Sequence, residues 1–144
     1  VEIKSYGKVG NPALSQNFGI VRKRYCNSGN PTVKFVSPFQ PGSNNEKYPD
    51  VYEALKKLIK EIDPNFKYNS ITLNKNFKTL PHYDKLNKSP SLIVGLGDYT
   101  GGELIIEDCA FDIKLKPLIM NGSQCKHWTA PFEGDRYSVI YYMI

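Results

Sequence analysis

The sequence has 144 residues, which suits one domain with a single hydrophobic core. Its 19 basic and 14 acidic residues leave a net charge of +5, which favours an anionic partner without naming one. The chain contains no run of about 18 apolar residues, as a membrane span requires, and no signal-peptide pattern opens it. We therefore expect one soluble, non-secreted domain over residues 1–144, with no membrane partner.

The cysteines argue against a disulfide framework or a structural zinc site. There are three of them, Cys26, Cys109 and Cys125, and no CxxC or Cys/His zinc spacing occurs. A reducing intracellular compartment, the nucleus or the cytoplasm, is expected, with a viral origin left open. Cys125 is interpreted as a small buried apolar residue.

The N-terminal part, residues 1–67, is predicted to support a core that forms later in the chain. Residues 1–47 are rich in Gly, Pro, Asn and Ser, and their periodicity is weak. Short extended pieces are expected at residues 18–22 and 32–36. Residues 39–47 carry several turn-forming residues and are predicted to be a mobile loop.

A helix is predicted over residues 50–62, because apolar residues recur there at helical spacing and Pro64 ends the pattern. We expect this helix to brace a sheet. Its apolar stripe consists of Val51, Leu55, Leu58, Ile59 and Ile62.

Short strands separated by turns predict a mainly β core over residues 68–144. Many short strands after one helix indicate a sandwich or small barrel. The predicted strands are residues 69–73, 91–95, 103–107, 111–115, 118–120, 127–129 and 137–143, and the turns are 97–98, 101–102, 121–122 and 134–135.

His82, Asp84 and His127 are the candidate metal ligands, and they include both histidines of the chain. Residues i and i+2 of an extended segment project to the same side, so His82 and Asp84 can bind one metal while Tyr83 points away. Two imidazoles and one carboxylate leave three coordination positions free. This arrangement suits non-heme Fe(II), which needs free positions to bind O2 together with a cosubstrate.

A carboxylate-binding pair follows the distal histidine. Arg136 lies nine residues after His127, and Ser138 is expected to share its face of the last strand. Arginine binds carboxylates through two parallel hydrogen bonds, and a hydroxyl beside it adds another. A metal site followed by such a pair favours a keto-acid cosubstrate that chelates iron and pairs its far carboxylate with Arg136.

The order His-x-Asp, distal His and Arg-x-Ser resembles the 2-oxoglutarate/Fe(II)-dependent oxygenase superfamily. The resemblance covers residues 68–144 and includes the strings at 68–76, 92–104 and 120–127. It implies a double-stranded β-helix (jelly roll), with Fe(II) as cofactor and 2-oxoglutarate and O2 as cosubstrates. It also implies that Asn74 and Asn76 help to hold 2-oxoglutarate.

Within the superfamily, the sequence looks most similar to the TET/JBP and AlkB-like nucleic-acid oxygenases. This resemblance rests on the Asn-rich strand at 68–76, the string at 95–102 and the segment 131–138. It implies oxidation of the methyl group of 5-methylcytosine or thymine, usually after the base has been flipped out.

Basic residues mixed with aromatic rings surround the candidate metal ligands, and a second basic cluster lies at residues 22–24. Such a mixture provides charge for phosphates and rings for base stacking. The lysines are Lys75, Lys78, Lys85 and Lys88, with Phe77 and Tyr83 among them. The candidate substrate-contacting residues are Lys78, Tyr83, Lys85, Lys88 and Trp128, the last being either a core residue or a pocket wall.

Two other functions stay open. A prolyl or lysyl hydroxylase is the first, because the turn at 101–104 resembles that group too, although Arg136 stands where prolyl hydroxylases usually carry Lys. A non-catalytic jelly-roll binding module is the second, and the intact ligand set disfavours it. The sequence leaves the oligomeric state open.

Overall fold

The computed structural model describes residues 5–6, 13–22 and 39–144. Within these ranges the chain is mainly antiparallel β structure with two helices, α1 at Asn44–Lys47 and α2 at Pro49–Ile62. The strands are β1 Ser5–Tyr6, β2 Leu14–Arg22, β3 Phe39–Pro41, β4 Ser70–Lys75, β5 Lys78–Thr79, β6 Ser91–Leu96, β7 Tyr99–Gly101, β8 Leu104–Ile106, β9 Cys109–Phe111, β10 Leu118–Met120, β11 His127–Thr129, β12 Phe132–Gly134 and β13 Tyr137–Tyr142.

Six strands form the major sheet in the order β10–β6–β13–β4–β2–β3, and all neighbours are antiparallel. In this register Ser138 of β13 lies opposite Asn74 of β4 on one side and opposite Gly95 of β6 on the other. Side chains directly opposite one another point to the same face of a sheet. These three positions therefore form a row across the inner face of the major sheet.

The outer face of the major sheet is covered by α2. Leu55 and Ile59 of the helix belong to one buried cluster with Phe18, Val139 and other sheet residues. The predicted bracing helix is confirmed, and its amphipathic pattern gives the reason: the apolar stripe meets the sheet. Val51 is the exception, because it is 36% exposed at the first turn.

The inner face packs against a smaller sheet of order β11–β8–β9. Ile93 of β6, Leu104 of β8 and Ile113 form a second buried cluster, on which Ile140 of β13 also packs. Two packed β layers with a helix outside agree with the predicted mainly β architecture. The inner face also carries the polar row, so the site lies between the two layers.

The N-terminal region contributes more to the sheet than its weak periodicity indicates. Strand β2 pairs with β4 along six residues, and β3 pairs with β2. The prediction of a mobile loop at 39–47 is wrong, because these residues form β3 and α1. The Asn45 side chain bonds to both backbone groups of Gly19, at 2.7 Å and 2.9 Å, a long-range contact with no local signal. The extended piece expected at 32–36 lies outside the described residues.

The strand expected at 111–115 is also wrong. Strand β9 ends at Phe111, and the backbone then turns to bond β6. The Gly95 N–H donates to Ile113 O and the Leu115 N–H donates to Gly95 O, both at 2.8 Å. Leu115 takes a positive φ of 55°, which a strand does not allow. The short strands β5, β7 and β12 have no counterpart among the strands predicted from the sequence.

Neither described helix is long and apolar enough to cross a membrane. Two free thiols are found in the described part of the chain, an exposed one at Cys109 and a half-buried one at Cys125. Cys125 is therefore less buried than expected. Cys26 lies outside the described residues.

Candidate functional site

Backbone pairing brings the three predicted metal ligands together. His82 and His127 form an isolated antiparallel bridge in which each N–H donates to the other residue's carbonyl at 3.1 Å. The Asp84 N–H donates to Gly122 O at 2.8 Å, which fixes the carboxylate against the turn before β11. His82 is thus fastened to β11, and Asp84 to the turn before β11.

The ligand atoms of His82, Asp84 and His127 all lie within 4.8 Å of one another. His127 Nε2 is 3.1 Å from Asp84 Oδ2, and His82 Nε2 is 3.5 Å from Asp84 Oδ1. Ligands about 2.1 Å from a transition metal at right angles to each other are about 3 Å apart. The three side chains therefore suit a single metal ion held on one face.

The two imidazoles are held in the tautomer that a metal requires. His82 Nδ1 is 2.6 Å from Leu80 O, and His127 Nδ1 is 2.9 Å from Cys125 O. A carbonyl oxygen can only accept, so each Nδ1 carries the proton. Each Nε2 lies beside an Asp84 oxygen: in the protonated imidazole it donates to the carboxylate, and in the neutral imidazole its lone pair is free for a metal ion, as in metal sites where a backbone carbonyl orients the ligand.

The electrostatics of the site favour a cation. Burial by itself raises the pKa of Asp84, but hydrogen bonds from His127 and His82 outweigh it, and the net pKa is lowered. Burial lowers the pKa of His82, and the hydrogen bonds to Asp84 and Leu80 O outweigh it, so the net pKa is raised. Both shifts arise because an ionised carboxylate faces the two imidazoles and attracts positive charge.

Gly122 leaves the space in front of the ligands open. A Cβ added there would lie 3.0 Å from Asp84 Oδ2 and 3.1 Å from His127 Cε1. We expect Gly122→Ala to weaken metal binding by about 10-fold, in the range for disturbed ligand orientation, without unfolding the protein. Titration with Mn²⁺ as a redox-stable probe measures this. Gln124→Ala on the same turn is the control, and equal affinities for the two variants would contradict the expectation.

Arg136 enters the site immediately before β13 and is 3% exposed. Its Nε–H donates to Gly102 O at 3.1 Å, and its backbone N–H donates to Asn76 Oδ1 at 2.8 Å. Gly102 has a φ of +68°, and an added Cβ would lie 2.8 Å from Arg136 Cδ and Nε. The Gly101–Gly102 turn is thus required both for its backbone conformation and for the space that the guanidinium occupies.

No carboxylate oxygen of the described residues lies within 4.0 Å of the Arg136 guanidinium, although Glu103 and the Tyr99 hydroxyl lie near enough to raise the pKa of Arg136. Burial has the larger effect and lowers the pKa of Arg136, because its charged form loses hydration. A buried cation without a counter-ion is costly, so this position is suited to an incoming anion. Beside it, the Asn74 Nδ2–H donates to Ser138 Oγ at 3.4 Å, while Asn74 Oδ1 is buried and accepts no hydrogen bond from any described residue.

Asn76 has a different environment from Asn74. Its Oδ1 accepts from the Arg136 N–H, and its Nδ2–H donates to Asp135 Oδ1 at 3.1 Å. Its positive φ of 53° turns the chain out of β4. Asn76 therefore orients the backbone that carries Arg136, and its contacts make it a positioning residue.

The candidate substrate residues are spread over the molecule. Lys75 and Lys88 lie near opposite ends of the β4–β13 pair, about 17 Å apart by the rise per residue. Lys75 Nζ is 5.5 Å from the Tyr137 ring, whereas the Lys88 N–H bonds to Met143 O. The lysines expected to surround the metal therefore do not form one cluster.

The remaining substrate candidates have separate positions. Tyr83 is 45% exposed, in keeping with a side chain that points away from the ligands, and Lys85 is also exposed. Lys78 lies on β5, which contacts β11 through Thr79 and Thr129. Trp128 follows His127 on β11, so alternation directs it to the opposite face, against a role as wall of the metal pocket.

The chain is similar in structure to several proteins whose structures have been solved. No protein-family model matches the chain, and no curated protein matches it by sequence. NgTET1 in complex with 5mC DNA is similar at 17% identity and a TM-score of 0.58, over 90% of this chain and 60% of that one. A 2OG-Fe(II) oxygenase family oxidoreductase from Burkholderia pseudomallei is similar at 13% identity and TM-score 0.55, over 98% and 71%. OsALKBH1 is similar at 13% identity and TM-score 0.52, over 99% and 81%.

These neighbours define the class of fold. The chain has the double-stranded β-helix fold of the 2-oxoglutarate/Fe(II) oxygenases, as its resemblance to the superfamily implied. It spans 60% of the NgTET1 chain. The His82–Asp84–His127 group and the buried Arg136 lie inside this fold.

Proposed function

We propose that this chain is an Fe(II)- and 2-oxoglutarate-dependent dioxygenase that hydroxylates its substrate. The observation that carries the proposal is a three-ligand metal group in the same fold as a buried arginine that forms no ion pair with any described carboxylate. Fe(II) held by His82, Asp84 and His127 would supply the oxygen activation of this enzyme class.

Each side chain has a role that its contacts support. Asp84 stays ionised, and both imidazoles offer Nε2 because Nδ1 donates to a backbone carbonyl. Arg136 would bind the far carboxylate of 2-oxoglutarate, with Ser138 and Asn74 beside it on the inner face. Arg136 is buried, so bulk water would be largely kept from its pairing with the far carboxylate of 2-oxoglutarate.

For the substrate, we propose the methyl group of a pyrimidine base, 5-methylcytosine or thymine, in nucleic acid. The likeness to NgTET1, whose structure contains 5mC DNA, supports this choice, as does the net charge of +5. Two basic side chains beside one aromatic ring also support a nucleic-acid substrate. Arg22 Cζ lies 5.6 Å from the centre of the Phe39 ring, and Lys88 Nζ lies 5.9 Å from it.

We call Arg22, Phe39 and Lys88 the Phe39 basic cluster. This cluster brings together two basic segments that are far apart in the sequence, one at the end of β2 and the other after the loop that carries His82 and Asp84. Lys88 is bonded through its backbone to Met143, beyond β13, so the cluster lies at the Tyr142 end of the sheet, away from Arg136. A nucleic-acid backbone could bind there without competing for the carboxylate site.

The reaction is tested by incubating the protein with Fe(II), 2-oxoglutarate and oligonucleotides that contain 5-methylcytosine or thymine. We expect a hydroxymethyl base, detected by nucleoside mass spectrometry, and none with the Asp84→Ala variant. If no single- or double-stranded DNA or RNA gives product while a peptide panel supports turnover, the substrate proposal is wrong and a protein hydroxylase replaces it.

The Phe39 basic cluster gives a separate prediction. Replacing Arg22 and Lys88 together with Gln should weaken DNA binding and lower the slope of log affinity against log salt by about 1.8, from about 0.9 per phosphate contact. Affinity for 2-oxoglutarate should not change. The matched control is Lys57→Gln with Lys60→Gln on the exposed side of α2. An equal loss of slope in both double variants would refute a specific role for the cluster.

A further inference from the structure

Tyr99 is a buried tyrosine whose hydroxyl lies near the Arg136 guanidinium but donates no hydrogen bond to any described residue. It begins β7, is 4% exposed, and lies inside the fold rather than at its surface. In the described part of the chain, only two buried side-chain polar atoms lack a hydrogen bond, Tyr99 Oη and Asn74 Oδ1. An unpaired buried polar group costs free energy, so such atoms are rare and often mark a ligand position.

Both unpaired atoms lie in the polar row of the inner face. Asn74, Ser138 and Gly95 are neighbours across β4, β13 and β6. A Cβ added at Gly95 would collide with Tyr99 Oη. The hydroxyl therefore occupies the position where a side chain of residue 95 would begin, and it extends the row beyond Ser138.

The Tyr99 ring is held in place by two cations. Arg136 Cζ lies 5.7 Å from the ring centre and Lys114 Nζ lies 5.3 Å from it. The Lys114 Nζ–H also donates to Tyr99 O at 3.1 Å. Burial raises the pKa of Tyr99 and outweighs the opposing effect of Arg136, so the hydroxyl stays protonated and can donate.

We infer that Tyr99 is a further ligand-binding residue: its O–H donates to the carboxylate that pairs with Arg136. The inference rests on the proposed function, because the anion in question is the far carboxylate of 2-oxoglutarate. Because Gly95 has no side chain, it leaves room for this hydroxyl of β7. The carboxylate would receive hydrogen bonds from a guanidinium and a phenol on adjacent sides, which also favours a keto acid with a second carboxylate.

The test compares Tyr99→Phe with the wild-type protein, both loaded with Mn²⁺, by calorimetric titration of 2-oxoglutarate. We expect affinity to fall by about 10- to 100-fold, the range for a lost hydrogen bond to a charged group. Affinity for pyruvate, which lacks the far carboxylate, should not change. Tyr137→Phe is the matched control, because Tyr137 adjoins Arg136 in sequence but points to the other face of β13.

Stability provides an independent measurement. Without ligand, Tyr99→Phe should melt at the wild-type temperature or higher, because it removes an unpaired buried hydroxyl. A purely structural role for Tyr99 predicts a lower melting temperature and equal losses for 2-oxoglutarate and pyruvate, and either result overturns the inference. Unchanged 2-oxoglutarate affinity in Tyr99→Phe overturns the inference alone. Failure of the wild-type protein to bind 2-oxoglutarate overturns the proposed function and the inference together.

Discussion

Replacing Asp84 with Ala is expected to reduce metal affinity and turnover by more than about 100-fold. Loss of a residue that only orients a ligand typically costs 10- to 100-fold, and loss of the ligand itself should cost more. Asp84 is the one anionic ligand of the three, and both imidazoles point at its oxygens. Without it, two neutral rings would have to hold a divalent cation in a partly buried position.

The measurement is anaerobic Fe(II) titration, followed by the rate at which 2-oxoglutarate is consumed. Asp50→Ala is the control, because Asp50 is an exposed carboxylate at the start of α2, on the opposite side of the major sheet from the site. The fold should survive the Asp84 change, since its backbone bond to Gly122 O does not depend on the side chain. Near wild-type turnover in Asp84→Ala would remove this residue from the ligand set.

The exchange of Arg136 for Lys is expected to weaken 2-oxoglutarate binding by about 10- to 100-fold, although the charge is kept. The guanidinium is oriented by its Nε–H bond to Gly102 O, which leaves its outer nitrogens to face a carboxylate. An ammonium group is a point charge and cannot donate two parallel hydrogen bonds in that geometry. The space that Gly102 leaves for the Arg136 side chain would also be poorly filled by Lys.

Titration of 2-oxoglutarate into the Mn²⁺-loaded variant measures this loss. Mn²⁺ affinity itself should match that of the wild-type protein, because the ligand residues are unchanged. Unchanged Mn²⁺ affinity distinguishes Arg136→Lys from Asp84→Ala, which should lose affinity for the metal and for 2-oxoglutarate. Arg22→Lys provides the same exchange at an exposed position. If Arg136→Lys and Arg22→Lys both bound 2-oxoglutarate like the wild-type protein, Arg136 would not be the carboxylate partner.

Residue chemistry and local periodicity were enough to predict the candidate metal ligands, the long helix and the longer strands. With only two histidines in the chain, the ligand set was restricted to His82 and His127, and the i, i+2 spacing selected Asp84. The helix was predicted within one residue of Pro49–Ile62, because its apolar stripe spans several turns. Strands as long as β6 and β13 were recognisable because each is a largely apolar run of six residues between turn residues.

Features that depend on contacts between distant segments could not be predicted from the sequence and became visible in the fold. The bridge between His82 and His127 joins residues 45 positions apart, and the hydrogen bond between Asn76 and Arg136 joins residues 60 positions apart. The position of Tyr99, whose hydroxyl takes the place of a side chain at Gly95, also became visible in the fold. The local sequence shows only a glycine and a tyrosine in a turn-rich segment. The packing of one strand over another places both residues in the site. The physical reason is that strand register, and not separation along the chain, sets which side chains are neighbours across a sheet.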